Sequence, residues 1–406
     1  MSDAAMSGRL SRAENRLEHR AMSTPPGGTA TQYALFAACA PGLEALLQEE
    51  VAELGLVGAA TPGGVELRTD ARGLWELCWR ARLAESVRVR LKPFVARDFE
   101  TLVQGLTRLP WRAYLRSGSV AAVHVVARRS RLWHSDAVAE RVSRVLRERA
   151  GVETAARGGA GTKIHVRLQN DRVQVSVDAS GERLHRRGYR THVAEASLRE
   201  TLAAALVRVA RREAPEADVL WDPFCGAGTI ALEWLELLAG VAAGARRRFA
   251  FEDWPTHDAE HYRLWTAQQQ VLEASVPVAE AERPLAFGSD VSGKALRAAQ
   301  ANARAAGLEA RCRWIQGDFE SAAQEIPEGA VVISNPPYGV RVRQSRELLA
   351  RLSRLLLRRP DLRPVVLLLP ANGLLERRSS LPFEARFRTS NGGLAVAVEV
   401  SSGARR

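Results

Sequence analysis

From Ser197 to about Arg359 the chain alternates short apolar runs with longer amphipathic ones, and this alternation restricts the possible folds more than any other feature. Val219–Asp222, Leu285–Asp290, Arg313–Gln316, Val331–Ser334 and Pro364–Leu369 have the length and apolar character of buried strands. Helical spacing fills the intervals, as in Ser197–Arg212 and Ile230–Leu238. Strands interrupted this regularly predict an α/β fold, a Rossmann-like doubly wound parallel sheet. Phe383–Arg388 and Leu394–Val400 flank Ser390-Asn391-Gly392-Gly393, a strong turn signal, so an antiparallel hairpin is expected to end that sheet.

The residues upstream read as two smaller α+β units. Tyr33–Ala38 is a strand, and Gly42–Leu54 places Leu43, Leu46, Leu47, Val51 and Leu54 on one helical face. A short strand (Val65–Leu67), a helix opened by Asp70, and alternating Val89, Leu91 and Phe94 complete a ferredoxin-like order over residues 31–100. Over residues 101–183 come a strand (Ser119–Ala127), an arginine-rich helix (Ser135–Arg149) and two strands (Lys163–Leu168, Arg172–Val177). Asn170-Asp171 supplies a two-residue turn between the last two. Residues 184–196 form a basic connector containing Leu184-His185-Arg186-Arg187-Gly188-Tyr189-Arg190, and residues 197–402 form the α/β domain. Residues 1–30 carry Arg9, Arg12, Arg16 and Arg20 with no apolar segment behind them, and read as a disordered lead-in rather than a secretory signal.

Charge separates the two halves. The chain is +12 overall, but residues 31–190 hold 26 Lys+Arg against 17 Asp+Glu, whereas residues 191–406 hold 28 against 26. Near-exclusive use of Arg over Lys reflects genome composition; it does not explain why the excess sits in front. A basic front half suits a polyanionic partner. Cys39, Cys78, Cys225 and Cys312 are scattered without a CxxC pair, so neither a zinc ribbon nor a disulfide framework is expected, and a reduced cytoplasmic setting is the simplest reading. No run approaches the ~18 apolar residues of a membrane span.

The chemistry concentrates at strand ends. Asp222-Pro223-Phe224-Cys225-Gly226-Ala227-Gly228-Thr229 follows an apolar strand and opens a helix, where glycines allow a ligand close to the backbone. It lacks the Gly-Lys-Ser/Thr of a phosphate loop and the third glycine of a dinucleotide fingerprint. Asp290 closes the second strand, where a carboxylate can hold a ribose diol, and Asp318 follows the third, where it can accept from an adenine amino group. Asp290 lies farther from the glycines than the usual template because of an insertion at about residues 240–283. Either aspartate alone could be a helix cap. The deciding motif is Asn335-Pro336-Pro337-Tyr338-Gly339 after the fourth strand. The prolines stiffen the turn, the Asn335 amide oxygen and Pro336 carbonyl can accept from one amino group, and Tyr338 can stack on a base.

This ordered set resembles class I S-adenosylmethionine-dependent amino-methyltransferases. With the LHRRGYR connector, Ser197-Leu198-Arg199-Glu200-Thr201, and the Leu35-Phe36-Ala37, Gly42-Leu43-Glu44 and Gly63-Gly64-Val65 segments, it is similar to the THUMP-domain RNA guanine-N2 methyltransferases, above all those acting on large-subunit ribosomal RNA. The resemblance covers Tyr33 to about Val400. It implies that Ser197, Leu198 and Arg199 edge the S-adenosylmethionine site. It also implies that Gly226, Ala227 and Gly228 meet its methionine part, that Asp222, Phe224, Cys225, Asp290, Asp318, Phe319 and Asn335 complete the site, and that Asn335, Pro336 and Tyr338 are catalytic. The front units should bind RNA, ribosomal before transfer RNA, with no metal and no membrane. Long members of that family carry a second methyltransferase domain, whose activity is not expected here. The rival readings are the same domain aimed at DNA adenine or a glutamine side chain, and a ribosome-assembly factor that has lost catalysis.

Overall fold

The computed structural model describes residues 31–156, 159–192, 198–274, 283–337, 342–371 and 381–402. The expected lead-in, residues 1–30, lies outside them. In the second half, β10 (Leu220–Asp222), β11 (Ala286–Asp290), β12 (Cys312–Gln316), β13 (Val331–Ser334), β14 (Val365–Pro370), β15 (Glu384–Asn391) and β16 (Leu394–Ser401) form one sheet in the order β12-β11-β10-β13-β14-β16-β15. The first five run parallel, and β16 pairs antiparallel with both β14 and β15. Val331, Val332, Ile333, Val365 and Val366 are fully buried, as strands covered by helices on both faces should be. Strand order reverses between β10 and β13, and at such a switch point the loops diverge and leave a crevice beyond the carboxyl ends of the strands.

The front half departs from two independent units. β1 (Tyr33–Ala38), β2 (Gly58–Thr61), β3 (Gly64–Thr69), β4 (Ser86–Arg90), β5 (Phe94–Val95), β6 (Val120–Arg128), β7 (Glu153–Thr154), β8 (Thr162–Gln169) and β9 (Arg172–Asp178) share a single sheet, ordered β2-β3-β1-β4-β9-β8-β6-β7 with β5 on β9. The join is the β4–β9 pair, Arg88 opposite Asp178 and Arg90 opposite Ser176. Asn170 and Asp171 both take positive φ, 51° and 62°, in the tight turn that links β8 to β9. Helices Glu44–Glu53, Ala71–Arg80, Phe99–Thr107 and Ser135–Ala150 accompany this sheet, and Asp70 caps the second by accepting from the Gly73 amide at 2.9 Å.

The connector is structural rather than a free basic strand. Arg187 and Tyr189 are each 1% exposed. Arg187 Nε lies 3.2 Å from Glu233, on the helix Thr229–Leu238, and its other nitrogens donate to the Leu184 and Arg82 carbonyls at 2.7 and 2.6 Å. Arg82, from the front half, meets the second Glu233 oxygen at 2.9 Å, and the Tyr189 hydroxyl donates to Glu233 at 3.3 Å. Glu236 adds pairs with Arg82 and Arg246, and Glu50 accepts from the Arg82 and Leu83 amides at 2.8 and 3.0 Å.

The insertion is built as a brace. Its helix Ala259–Ala274 sets Tyr262 and Trp265 against Trp75, with ring centroids 5.2 and 5.9 Å apart. Trp79 Nε1 donates to Glu273 at 3.1 Å, the Gly244 amide to the Trp79 carbonyl at 2.7 Å, and Thr256 to the Ala113 carbonyl at 2.8 Å. No helix among the described residues is long and apolar enough to cross a membrane.

Burial alone would raise the Glu233 pKa, but Arg187 and Arg82 together outweigh it and hold the carboxyl below the usual range. A depressed folded pKa contributes stability above the unfolded value, near 4.5, that is lost as pH falls through the folded one. Glu233→Gln removes the charge that Arg187 and Arg82 share, leaving Arg187 with carbonyl acceptors alone, and should destabilise the chain by about 3–5 kcal/mol at pH 7. Denaturant titrations should show the gap between wild type and variant narrowing as pH drops below 4.5.

Candidate active site

The crevice is framed by the carboxyl ends of β10, β11 and β13. In register, Trp221 lies beside Phe287 and Val332, so Asp222, Asp290 and the Ser334-Asn335 step emerge on one side of the sheet. Asp222 is 1% exposed; its Oδ1 accepts from Ser334 Oγ at 2.5 Å and from the Phe224 amide at 3.2 Å. Burial pushes its carboxyl up to about 7, with the nearby Asp290 charge adding to the rise and the two hydrogen bonds opposing it.

The glycine loop is held from beneath and open above. The Cys225 amide donates to the Ser289 carbonyl at 3.0 Å, Gly226 to Asp290 Oδ2 at 3.1 Å, and Gly228 to the Cys225 carbonyl at 2.8 Å. Gly226 and Gly228 take φ of +53° and +80°, where a side chain is strained. A Cβ on Gly228 would stand 2.7 Å from the Trp314 ring, whereas one on Gly226 would meet nothing within 4 Å. One glycine is required by packing, and the other faces open space. Burial drives the Cys225 thiol far above its usual pKa, so it stays protonated and is no nucleophile.

Asp290 uses its second oxygen to accept from the Ser292 amide at 2.8 Å, leaving each oxygen further lone-pair capacity. Asp318 lies two residues beyond β12 and does cap a helix, Phe319–Ala322, by accepting from the Glu320 amide at 2.9 Å. The same oxygen also pairs with Arg351 at 2.9 Å, and Arg351 stacks over Phe319 at 5.1 Å. Phe319 meets Phe224 edge to face, ring centroids 5.3 Å apart, so the expected cofactor residues of two strand ends touch. Leu198 is buried and Ala227 closely packed, while the Arg199 guanidinium is engaged by Glu85 of the front sheet at 3.1 Å.

At the end of β13, Pro336 is buried and Pro337 exposed. Asn335 Oδ1 is buried, and no hydrogen-bond partner reaches it among the described residues. An acceptor in that state costs roughly 1–3 kcal/mol unless something else completes it. Ser197 and Tyr338 lie outside the described residues.

Three supports escaped the sequence reading. Ser334 bridges to Asp222. Asn302 accepts from the Thr191 and His192 amides at 3.0 and 3.1 Å while donating to the Ala227 carbonyl at 3.2 Å, tying the connector to the glycine loop. Arg190 pairs with Glu200 at 3.3 Å and donates to the Thr229 hydroxyl. Asn302 had a signal, since it is the one amide on the alanine-lined buried face of Gly293–Ala306.

Residues 187–363 match the family described as RMKL-like methyltransferase domain, and residues 34–88 match the RlmL ferredoxin-like domain. Two curated relatives carry the name ribosomal RNA large subunit methyltransferase K/L. The protein from Syntrophotalea carbinolica is 31% identical over 332 residues, 77% of this chain and 45% of its own length. That from Chromohalobacter salexigens is 34% identical over 333 residues, 77% of this chain and 44% of its own. The chain thus spans less than half the length of these relatives. Among solved structures, the SMU.472 protein complexed with SAH has a TM-score of 0.80 at 24% identity, covering 93% of this chain and 100% of that one, a likeness of fold.

The two loop glycines should separate experimentally. Both alanine variants carry the left-handed backbone cost of roughly 1–2 kcal/mol. Gly228→Ala adds overpacking against Trp314, about 1–3 kcal/mol more. Urea unfolding should therefore rank Gly228→Ala clearly below Gly226→Ala in stability.

Proposed function

With an RMKL-like methyltransferase domain over residues 187–363 behind an RlmL ferredoxin-like domain over residues 34–88, we propose that this chain transfers a methyl group from S-adenosylmethionine to the exocyclic N2 amine of a guanine in large-subunit ribosomal RNA. The observation that carries the reading is Asn335 Oδ1, a buried acceptor without a partner among the described residues, at the lip of the switch-point crevice. A substrate amino group would complete it.

The residues present fit the cofactor. The open side of Gly226 leaves room where a side chain would intrude, and the lone pairs remaining on Asp290 suit ribose hydroxyls. Phe224 and Phe319 offer an apolar wall, and the carboxylate of Asp318 an acceptor for an adenine amine. Leu198, whose carbonyl shares the Arg190 guanidinium with Thr229 at the end of the glycine loop, Ala227 and the Cys225 backbone would edge the same site. When bound, S-adenosylmethionine supplies an electrophilic methyl on a sulfonium.

The protein's own work is alignment. Asn335 Oδ1 and the Pro336 carbonyl accept the two amino hydrogens and so hold the nitrogen lone pair toward the donor. Tyr338 offers a stacking face to the flipped base. The neutral amine loses its proton late, so no strong general base is needed, and the protonated Cys225 thiol takes no part. Ordering of this kind can supply about 7–11 kcal/mol in favourable cases. Ser334 is a positioning residue, because its hydrogen bond to Asp222 fixes the strand end from which Asn335 projects.

Asn335→Ala should lower the methylation rate by about 10²–10³ and leave cofactor affinity nearly unchanged, since its acceptor acts on the reacting amine. Asp290→Ala should do the reverse, weakening cofactor binding in calorimetry by removing the ribose acceptor and releasing the Gly226 amide. Nucleoside mass spectrometry of ribosomal RNA treated with the protein should show N2-methylguanosine. N6-methyladenosine as sole product would overturn the substrate, and full activity of Asn335→Ala would overturn the mechanism.

A further inference from the structure

The front sheet has one covered face and one open face, and alternation along each strand sorts them. On β8, Ile164, Val166 and Leu168 are at most 1% exposed, whereas Lys163, His165, Arg167 and Gln169 point the other way. The same alternation puts Arg68, Arg88, Arg90, Arg128 and Arg172 on the open side of their strands. Because β4 and β9 join the two halves, the cross-strand rows continue without a break. Arg90 stands opposite Ser176, Ser176 opposite His165, and His165 opposite His124.

The charge on this face is one-sided. Arg68, Arg128, Arg167 and Arg172 are exposed, and none has a carboxylate partner among the described residues. Three acids of the described strands share the face and are already satisfied: Glu66 pairs with Arg90, Glu153 at the β7 edge pairs with Arg147, and Asp178 is buried and accepts from Ser180 and the Gly181 amide. A groove of about 1370 Å³ runs over both halves, with Arg68, Arg90, Lys92, Arg167, Arg172 and Gln174 among its walls.

Flat rings lie among the cations. His124 and His165 stack across adjacent strands, centroids 5.4 Å apart and planes 21° from parallel. Burial and the surrounding Arg88 and Lys163 hold both rings neutral at pH 7, His165 down to about 3. Arg90 lies 4.1 Å over the Phe36 ring. Cations for phosphates and interleaved uncharged rings for bases are the two parts of a single-strand platform. A rigid duplex hides its base faces and could use only the cations.

We propose that the open face of the continuous front sheet binds an unpaired RNA segment, its phosphates held by Arg68, Arg167 and Arg172 and a base stacked on the His124–His165 pair. Five strand spacings separate His124 from Arg68, roughly 24 Å, so several consecutive nucleotides are engaged. The proposal rests on the RNA reading above and deepens it by naming the surface and the form of RNA.

The test uses the full chain and two fluorescein-labelled probes, an unstructured 12-nucleotide RNA and a blunt 12-base-pair RNA duplex, followed by anisotropy over a range of salt. Arg68→Ala/Arg167→Ala/Arg172→Ala should weaken single-strand binding at least tenfold and lower the salt slope by about two. His124→Ala should weaken single-strand binding about fivefold or more, with the slope and duplex binding unchanged. Unaltered calorimetric binding of S-adenosylmethionine verifies that both variants are folded. Wild-type binding matched by the triple variant would overturn the platform and leave the RNA reading standing, as would equal losses on duplex and single strand. Failure of the wild type to bind either probe would overturn both.

Discussion

Everything in this molecule hangs on a carboxylate with no access to water. Glu233 sits one turn into the helix that begins at the glycine loop, and its two oxygens are shared by Arg82 from the front half and Arg187 from the connector. Desolvating three charges is expensive, and such a cluster persists only when its geometry and remaining hydrogen bonds are nearly complete. Here the completion comes from the backbone carbonyls of Leu184, Arg82 and Val241 and from the Tyr189 hydroxyl. The partners come from three segments: the front half (Arg82), the connector (Leu184, Arg187 and Tyr189) and the insertion (Val241). The helix that carries the ligand loop at one end is therefore anchored, a single turn later, to the rest of the chain.

That anchorage explains why the insertion is where it is. A helix fixed only at Glu233 could still pivot about the cluster. The aromatic contacts of Trp75 and Trp79 with Tyr262 and Trp265 form a second attachment, and the Arg247 guanidinium, donating to the Ser180, Glu182, Arg183 and Arg186 carbonyls, forms a third. Gly42 adds a fourth, since no Cβ would fit between its backbone and the Arg388 carbonyl of β15. A cut at residue 191 would remove Arg82 and Arg187 together, so the cofactor half cannot be treated as an autonomous piece although all its ligand motifs lie beyond that point.

Much of this was readable from periodicity. The parallel strands are apolar runs because both faces are covered, and the hairpin turn Gly392-Gly393 has a local signature, so the parallel strands emerge within a residue or two of their places and the first hairpin strand runs three residues longer than expected. β2 was missed because Gly58-Ala59-Ala60-Thr61 has no alternation to detect on an edge strand. The fusion of two units into one sheet was missed because the β4–β9 pairing joins residues some ninety positions apart, with no local signature. Arg187 and Tyr189 read as a basic linker because sequence shows charge but not its partner. At the site, Asp222, Asp290, Asp318 and Asn335 announce themselves as polar residues at strand ends. Ser334 and Asn302 act through other residues, and only coordinates reveal such second-hand roles.

The continuous sheet and the buried charge cluster together turn the protein into a gauge. A flexible tether between the two halves would let a held substrate present any nearby nucleotide to the crevice. With the halves locked, the span from the front face to the lip of β13 is a constant of the fold. For the RNA substrate proposed above, selection would work by length before base identity: a guanine at the wrong distance along its RNA would not reach Asn335.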